Sequence, residues 1–514
     1  MTDLNTPSRR GFLGTAASGA LALSAASYSR VYGAMEAVGI AFLGVGGRCQ
    51  QHIDVILEMQ NKGLKVRPVA VCDVWDGEAA LGRGKGRGLY PSAKRCGLPE
   101  KINNSSVTKD YRHILDKVKE AHVVCIATPD HWHAKMALDA MEAGKDVYLE
   151  KPMTRTIAEA IAVAKMAQDK KRVVTVGVQS MADPTWQAAL EYIQAGNIGK
   201  VLQGQTSYYR NYIGGQWRYY PLTKDMNPKT IDWDMFLGYK FECCGERLGP
   251  TPKEMPFDRA LWAQWRCYWP FGGGMFTDLF VHQTTHLIHA MGLRFPGRVT
   301  AGGGIYLEYD GRDVPDVATI VADYEEGCQV IISATMCNDT QLGEMIRGRL
   351  ATLKFTGGGD YMKGFEVYGQ NIAGGPAKPK GDDGKEKPVY EYTNPKKGNA
   401  TYALWENFLQ CVRDGNRQTL STPELGAAAF TTVAMGVQSY RQGKVLFWNK
   451  DKQAPTEADG SWAANLEKRS KERGKPSQII GWKGGDKGSV VIPPEYQKLE
   501  GPWIDGVDPA EKRG

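Results

Sequence analysis

Asp278, His282, His286 and His289 recur at three- and four-residue spacing within the run Gly272 to Met291, GGGMFTDLFVHQTTHLIHAM. After the three glycines the apolar residues fall at helical intervals, so the spacing predicts a helix. Residues four apart on a helix are neighbours. Asp278 and His282 are therefore expected side by side, a carboxylate orienting an imidazole for proton transfer near neutral pH. The four residues also have spacing that a metal ion could use. His286 and His289 fit the packing side of the helix equally well, and no metal is expected. Taken alone the pair is weak, and its meaning depends on what the rest of the chain brings to it.

The elements that would position such a pair begin near the N-terminus. From Ala37 to Gln179 short apolar strands alternate with helical stretches: Val38 to Leu43, Val66 to Val71, His122 to Ala127, Asp146 to Leu149 and Val173 to Val178, with helices at His131 to Ala143 and Ile157 to Gln168. Strands with little polar alternation, separated by helices, indicate a parallel sheet covered on both faces. Between the first strand and the first helix lies Gly44-Val45-Gly46-Gly47-Arg48-Cys49. There Gly44 permits a tight turn and Gly46 lets the backbone approach a pyrophosphate at a helix N-terminus. Asp73 ends the second strand, where a carboxylate accepts from adenosine ribose hydroxyls. Val74 and Trp75 follow it with no adjacent Arg for a 2'-phosphate, which favours NAD over NADP. Thr128-Pro129-Asp130-His131-Trp132-His133 leaves the strand His122 to Ala127 at its C-terminal end, and Glu150-Lys151-Pro152 leaves the next, both facing the crevice where such sheets bind ligands.

The glycine loop, Thr-Pro-Asp-His-Trp-His, Glu-Lys-Pro, Ile231-Asp232-Trp233-Asp234 and the GGG run with Asp and His four apart occur in one order. This combination resembles the Gfo/Idh/MocA family of oxidoreductases from about Ala37 to Asn449. The resemblance implies an N-terminal Rossmann domain and a C-terminal α/β domain whose large, open, mostly antiparallel sheet covers the nicotinamide site. It implies Lys151, Asp278 and His282 as catalytic residues. Cofactor contacts are expected from Gly44, Gly46, Gly47, Arg48, Asp73, Thr128, Pro129, His131, His133, Glu150, Lys151 and Gln179. Many members carry a second acid three residues after the His; Thr285 stands there instead and is a candidate for substrate contact. Relatives often pair through the open sheet, so a homo-oligomer is the expectation from resemblance.

The second domain is expected over residues 181–450. Tyr208 to Tyr212 and Gln216 to Tyr220 alternate rings with Arg, Asn and Gln, as does Trp262 to Arg266. Such stretches suit a sugar, whose C–H faces stack on aromatics while its hydroxyls need fixed polar partners. Tyr209, Tyr212, Trp217 and Arg266 are the candidates. Gln370 to Gly398 reads as a loop, Tyr402 to Asp414 and Glu424 to Gln442 as helices, and residues 451–514 as a polar tail laid over the surface or exchanged with a partner.

The chain has 514 residues, a net charge of +7 and 42% apolar residues. A charge excess this small for the length implies no nucleic-acid partner. The Lys/Arg/Gly run Gly82 to Arg87 reads as a solvated loop. Ten cysteines without a CxxC pair are expected to be buried thiols rather than a disulfide framework. Ser8-Arg9-Arg10-Gly11-Phe12-Leu13 and the small, mildly apolar run to Ser27 read as a twin-arginine export signal within residues 1–36. They predict a periplasmic or extracytoplasmic protein that meets the twin-arginine machinery folded and keeps no membrane span after processing. A dinucleotide enzyme sent there must carry its cofactor and restore it in place. Two chemistries satisfy that: oxidation of one sugar coupled to reduction of another, or a redox-neutral cycle in which transient oxidation at C3 acidifies C2–H, a group leaves and the ketone is reduced again. A dehydrogenase passing electrons to an external acceptor, and a non-catalytic carbohydrate-binding protein with structural NAD, are the alternatives. His282 is the expected base, assisted by Lys151, with the reverse assignment open because coupled groups share their titration.

Overall fold

The computed structural model describes residues 37–82, 84–372 and 378–464. The twin-arginine stretch and residues 465–514 lie outside them. All six residues of β1 (Val38–Leu43) are buried, as a strand covered on both faces requires. Gly44 then turns with φ +77°, and a side chain there would strike the backbone of Thr128 at 2.8 Å. The helix α1 (Gly47–Asn61) follows. Next come β2 (Val66–Cys72), β3 (Val107–Thr108), β4 (Val123–Ile126), α2 (Asp130–Glu142), β5 (Asp146–Glu150), α3 (Ile157–Asp169) and β6 (Val174–Gly177). The six strands form a parallel sheet in the order β3-β2-β1-β4-β5-β6, the doubly wound arrangement.

After α4 (Pro184–Gln194) the chain enters a second sheet at β7 (Val201–Ser207), and α5 (Trp233–Leu237) and a two-stranded ribbon (β8 Glu242–Cys243, β9 Glu246–Arg247) follow. Two short helices, α6 (Gly274–Asp278) and α7 (Phe280–Ala290), precede β10 (Arg298–Gly304), β11 (Val317–Tyr324), β12 (Cys328–Thr335), β13 (Met345–Gly348), β14 (Ala351–Gly357), β15 (Met362–Gly369) and β16 (Tyr390–Thr393). The helices α8 (Ala400–Asp414) and α9 (Pro423–Gln442) come next, then β17 (Leu446–Asn449) and β18 (Ala454–Thr456). Ten strands pair as β16-β15-β14-β13-β7-β12-β11-β10-β17-β18, antiparallel except for β7 with β12. β11 buries every second residue, so one face of this sheet is packed and the other open. The packed face lies under α9, where a side chain at Gly436 would meet Ile320 at 2.3 Å. Among the described residues no helix is long and apolar enough to cross a membrane.

The structure departs from the sequence reading in three places. The helix expected across Gly272 to Met291 is interrupted at Leu279. Within the loop expected at Gln370 to Gly398, β16 pairs with β15. The start of the polar tail is part of the fold: β18 pairs with β17, and Trp462 packs where a side chain on Gly297 would be. All ten cysteines are unpaired, and only Cys244 is exposed.

α8 returns from the second domain to pack on the first. Its Trp405 donates from Nε1 to His52 Nδ1 at 2.9 Å, and His52 Nε2 lies 3.0 Å from Glu150 Oε1. Burial and the neighbouring Arg48 push the His52 pKa down, so the imidazole is neutral, accepts from Trp405 and donates to Glu150. Trp405 also stacks on Tyr148, with ring centroids 4.2 Å apart. Trp405→Phe keeps the stack and orphans His52 Nδ1, and is expected to lower unfolding free energy by about 1–2 kcal/mol. Trp405→Ala also opens a cavity and is expected to cost about 3–5 kcal/mol. Urea denaturation followed by fluorescence measures both, and an unchanged stability in Trp405→Phe would show that the hydrogen bond contributes nothing.

Candidate functional site

The N-terminus of α1 is left open. α3 closes its own start with a capping box from Thr156 and Glu159, whereas α1 begins at Gly46 with no side-chain cap and no acid in its first turn. Its free N–H groups therefore face the cleft as an anion site. A Cβ on Gly46 would meet nothing within 4 Å, so the backbone there is open to a bound group. Arg48 Nη2, Arg87 Nε and Thr128 Oγ1 are buried without partners around the same opening. Uncompensated donors beside an uncapped helix suit a diphosphate. Asp73, just beyond β2, accepts from Trp75 N at 2.9 Å. Burial raises its pKa to about 6, against the lowering effect of the backbone N–H groups of Trp75 and Val45.

From this edge a cavity of about 440 Å3 runs past Thr128, Pro129 and His133 to Lys151 and Asp278. Arg210, Tyr219, Tyr220, Trp262, Trp265 and Arg266 of the second domain form its other wall. Lys151 Nζ donates to Asp278 Oδ1 at 2.7 Å and to the Asp278 carbonyl at 3.0 Å. An uninterrupted helix would give that carbonyl to the N–H of His282; instead His282 N bonds to Leu279 O at 3.1 Å. The break at Leu279 thus frees a backbone acceptor for the lysine. An ammonium has three donors, and the two bonds to Asp278 leave one for a ligand oxygen. Arg266 Nε and Trp217 Nε1 complete the ring around Asp278, each at 3.1 Å. Burial alone would raise the Asp278 pKa, but Lys151 and then Arg266 outweigh it and hold the group ionised.

His282 is therefore not the partner of Asp278. Its side chain makes no hydrogen bond among the described residues, and its ring lies 6.1 Å from that of Tyr208. Burial, then the Lys151 charge, lowers its pKa well below the usual value, so it is a neutral imidazole. The rest of the helical stripe serves packing. His286 stacks on Trp186 with centroids 3.9 Å apart and bridges Ser180 (3.1 Å) and Glu344 (2.8 Å), while His289 meets Gln187 at 3.2 Å. Among the described residues no group of three or more His, Cys, Asp or Glu is arranged to hold a metal.

Of the expected cofactor residues, Gly44, Gly46, Gly47, Arg48, Asp73, Thr128, Pro129, His133, Glu150 and Lys151 line the cavity. His131 does not: it is buried behind the wall with Nε2 on Phe236 O at 2.8 Å, and burial lowers its pKa to about 3. His133 lies between the carbonyls of Pro152 (2.6 Å) and Thr128 (2.8 Å), tying the exits of β4 and β5 together. Gln179 is off the wall, with Oε1 buried and unpartnered. Glu150 binds Arg48 Nε at 2.7 Å and His52, so it positions the arginine and is not a free acid. Among the substrate candidates only Arg266 lines the cavity. Trp217 is buried and holds Asp278, Thr285 gives its hydroxyl to Val281 O at 2.6 Å, and Tyr209 bonds to Ser333 on the sheet. Tyr212 is exposed with its ring against Tyr219. The residues missed are Arg210, Tyr219 and Tyr220, which lay within the aromatic stretches already singled out, and Arg87. The loop carrying Arg87, read as solvated, lays the guanidinium over Gly47, where a Cβ would lie 3.3 Å from its central carbon.

The cavity thus has a dinucleotide edge on one domain and a Lys–Asp pair bridging to an aromatic wall on the other, the organisation of a two-domain, nucleotide-dependent oxidoreductase. Residues 38–178 match the NAD-binding Rossmann fold of the Gfo/Idh/MocA oxidoreductase family, and residues 252–369 match the family's C-terminal domain. The chain belongs to the Gfo/Idh/MocA family. It is similar to a levoglucosan dehydrogenase of Pseudarthrobacter phenanthrenivorans, 39% identical over 105 residues, 20% of this chain and 27% of that protein. It is also similar to an alpha-N-acetylgalactosaminidase of Shewanella oneidensis, 27% identical over 230 residues, 44% of this chain and 46% of that protein. The chain spans less than half the length of these curated relatives. In fold it resembles the WlbA dehydrogenase from Bordetella pertussis in complex with NADH and UDP-GlcNAcA, with TM-score 0.54 at 15% identity over 80% of this chain and 99% of that one.

Asp73 supplies a pH test of the dinucleotide edge. A carboxylate accepts from ribose hydroxyls, and protonation near pH 6 removes that acceptor. NAD affinity of cofactor-stripped protein is therefore expected to be flat above about pH 7 and to fall up to about tenfold per unit below pH 6. Calorimetric titration across this range measures it. Asp73→Asn should bind more weakly at neutral pH and lose the acid limb, and an unchanged limb would place the titrating group elsewhere.

Proposed function

We propose that this protein is an NAD-dependent oxidoreductase acting on a ring secondary alcohol of a sugar or glycoside, with the dinucleotide retained and restored in the same site. The observation that supports it most directly is the Lys151–Asp278 pair, set where the dinucleotide edge meets the aromatic wall. Asp73 at the ribose end favours NAD over NADP, because a 2'-phosphate would meet its carboxylate. A nicotinamide held along this edge would supply the hydride acceptor for the carbon bearing the hydroxyl. Lys151 donates its remaining N–H to the hydroxyl oxygen and stabilises negative charge developing there. His282, a neutral imidazole four residues on from Asp278 that does not itself line the cavity, is the proposed acceptor of the departing proton. Asp278, held by Trp217 and Arg266, fixes the ammonium and does not itself titrate. Tyr219, Tyr220 and Trp262 offer ring faces to the sugar.

Retention of the cofactor follows from the export signal. A folded enzyme sent beyond the cytoplasm has no free NAD pool to draw on, so its oxidised and reduced forms must interconvert on one protein. A redox-neutral glycoside cleavage through a 3-keto intermediate is the second reading, favoured by the likeness to the Shewanella alpha-N-acetylgalactosaminidase. In that cycle the same lysine and histidine act first on the C3 hydroxyl and again when the ketone is reduced. A homo-oligomer paired through the open sheet is part of the proposal.

The test is the absorbance and mass of dinucleotide held by the dialysed protein, followed by challenge with glycosides. About one NAD per chain is expected, with persistent NADH if net oxidation occurs and with transient NADH plus released aglycone if cleavage occurs. Lys151→Met is expected to lower turnover by about 10²–10⁴-fold while keeping the dinucleotide. A protein that holds no dinucleotide under these conditions would overturn the retained-cofactor reading.

A further inference from the structure

The substrate end of the cavity carries more positive charge than its own residues neutralise. Lys151, Arg210 and Arg266 all line it. Asp278 is their shared carboxylate, bound by Lys151 at 2.7 Å and by Arg266 at 3.1 Å. Arg210 forms no ion pair among the described residues; its one side-chain hydrogen bond runs from Nη2 to Tyr208 Oη at 2.7 Å, and its guanidinium also lies over that ring. Arg210 lines the cavity and is only half-buried, so its remaining donors are open to a ligand. The other acids nearby offer little compensation. Glu150 is engaged by Arg48 and His52. Asp130, which also lines the cavity, sits against Thr277 at 3.2 Å; burial raises its pKa to about 7 against the lowering effect of Arg266 and Lys151, so at neutral pH it offsets only part of their charge.

A neutral sugar would leave this excess uncompensated as water is expelled, and NAD+ adds the positive nicotinamide ring. Desolvated charge without a partner is costly. We infer that the substrate is an acidic sugar whose carboxylate pairs with Arg210 at the rim of the Lys151–Asp278 site. A guanidinium presents a planar fork of donors that matches a carboxylate bidentately. The aromatic residues Tyr219, Tyr220 and Trp262 then take the apolar face of the same ring. The inference rests on the reading that this cavity turns over a sugar and narrows it to the uronic acid class.

The experiment uses the holoprotein and pairs of methyl glycosides that differ only at C6, glucoside with glucuronide and galactoside with galacturonide. Both kcat/KM, from reduction of bound dinucleotide, and Kd, from calorimetry, are measured. The uronide is expected to be favoured by about 10–100-fold, the range of a charge-assisted hydrogen bond. Arg210→Met should collapse that ratio toward one, while Arg210→Lys, which keeps the charge, should retain part of it. Equal or better use of the neutral partners, or a preference that survives in Arg210→Met, would overturn the acidic-sugar assignment and leave the oxidoreductase reading in place. If neither class reduces the dinucleotide, the oxidoreductase reading fails, and calorimetry still decides whether acidic sugars bind in preference. Binding of neither would overturn both.

Discussion

The ion pair between Lys151 and Asp278 joins the two domains at the centre of the cavity they share. Lys151 stands at the exit of β5 in the Rossmann sheet, and Asp278 ends α6 in the second domain. The pair is nearly buried, with side chains 13% and 11% exposed. A buried charge stripped of its partner costs about 3–5 kcal/mol. Displacing either domain separates the pair and leaves Lys151 without its carboxylate partner. The lysine reaches a carboxylate oxygen and a backbone oxygen of the same residue, so it reads the helix terminus as well as the side chain.

A second network fixes the lysine from behind. Glu150 precedes Lys151, binds Arg48 and His52, and accepts from the Lys151 N–H at 3.0 Å. Burial would raise the Glu150 pKa, but Arg48 and then His52 outweigh it, so the carboxylate stays ionised. His52 is in turn fixed by Trp405, whose helix belongs to the returning C-terminal part of the chain. Arg48 is thereby aimed along the start of α1, where a diphosphate needs it, and the last helices of the chain help define the first ligand contact. Cofactor edge and Lys151–Asp278 pair are two ends of one hydrogen-bonded assembly running through Glu150 and Lys151 at the end of β5.

The Rossmann half was readable because each of its features is local. Fully apolar strands, Gly44 in its turn and an acid after β2 each follow from short-range sterics or burial, and helices such as 130–142 fell within a residue or two of their expected limits. The second domain was less so: β13 to β18 are short or weakly alternating, and their pairing depends on partners far along the chain. At the site, residue types were legible and partners were not. The four-residue spacing of Asp278 and His282 promised a pair, but helical periodicity cannot show that Lys151, 127 positions earlier, competes for the same carbonyl. The aromatic stretches do border the cavity, but the choice within them fell on Trp217 and Tyr212, whereas Tyr219 and Arg210 are the residues that line it. Which side of an irregular segment turns inward is set by the loop containing Trp217, at φ +67°, and no periodicity encodes that.

The saturation of Asp278 constrains the division of labour. A carboxylate that already accepts from Lys151, Arg266 and Trp217 is held well below the usual carboxylate range and stays ionised near neutral pH. It can serve only as a fixed negative charge that places the ammonium. In the proposed reaction, proton movement then falls to the neutral ring of His282, and the third N–H of Lys151 is left to bond the substrate oxygen. Had Asp278 paired with His282 instead, the carboxylate would have raised the imidazole pKa and left the lysine unopposed beside a cationic nicotinamide. The break at Leu279 frees the Asp278 carbonyl for the lysine, and burial together with the nearby Lys151 charge keeps the imidazole neutral.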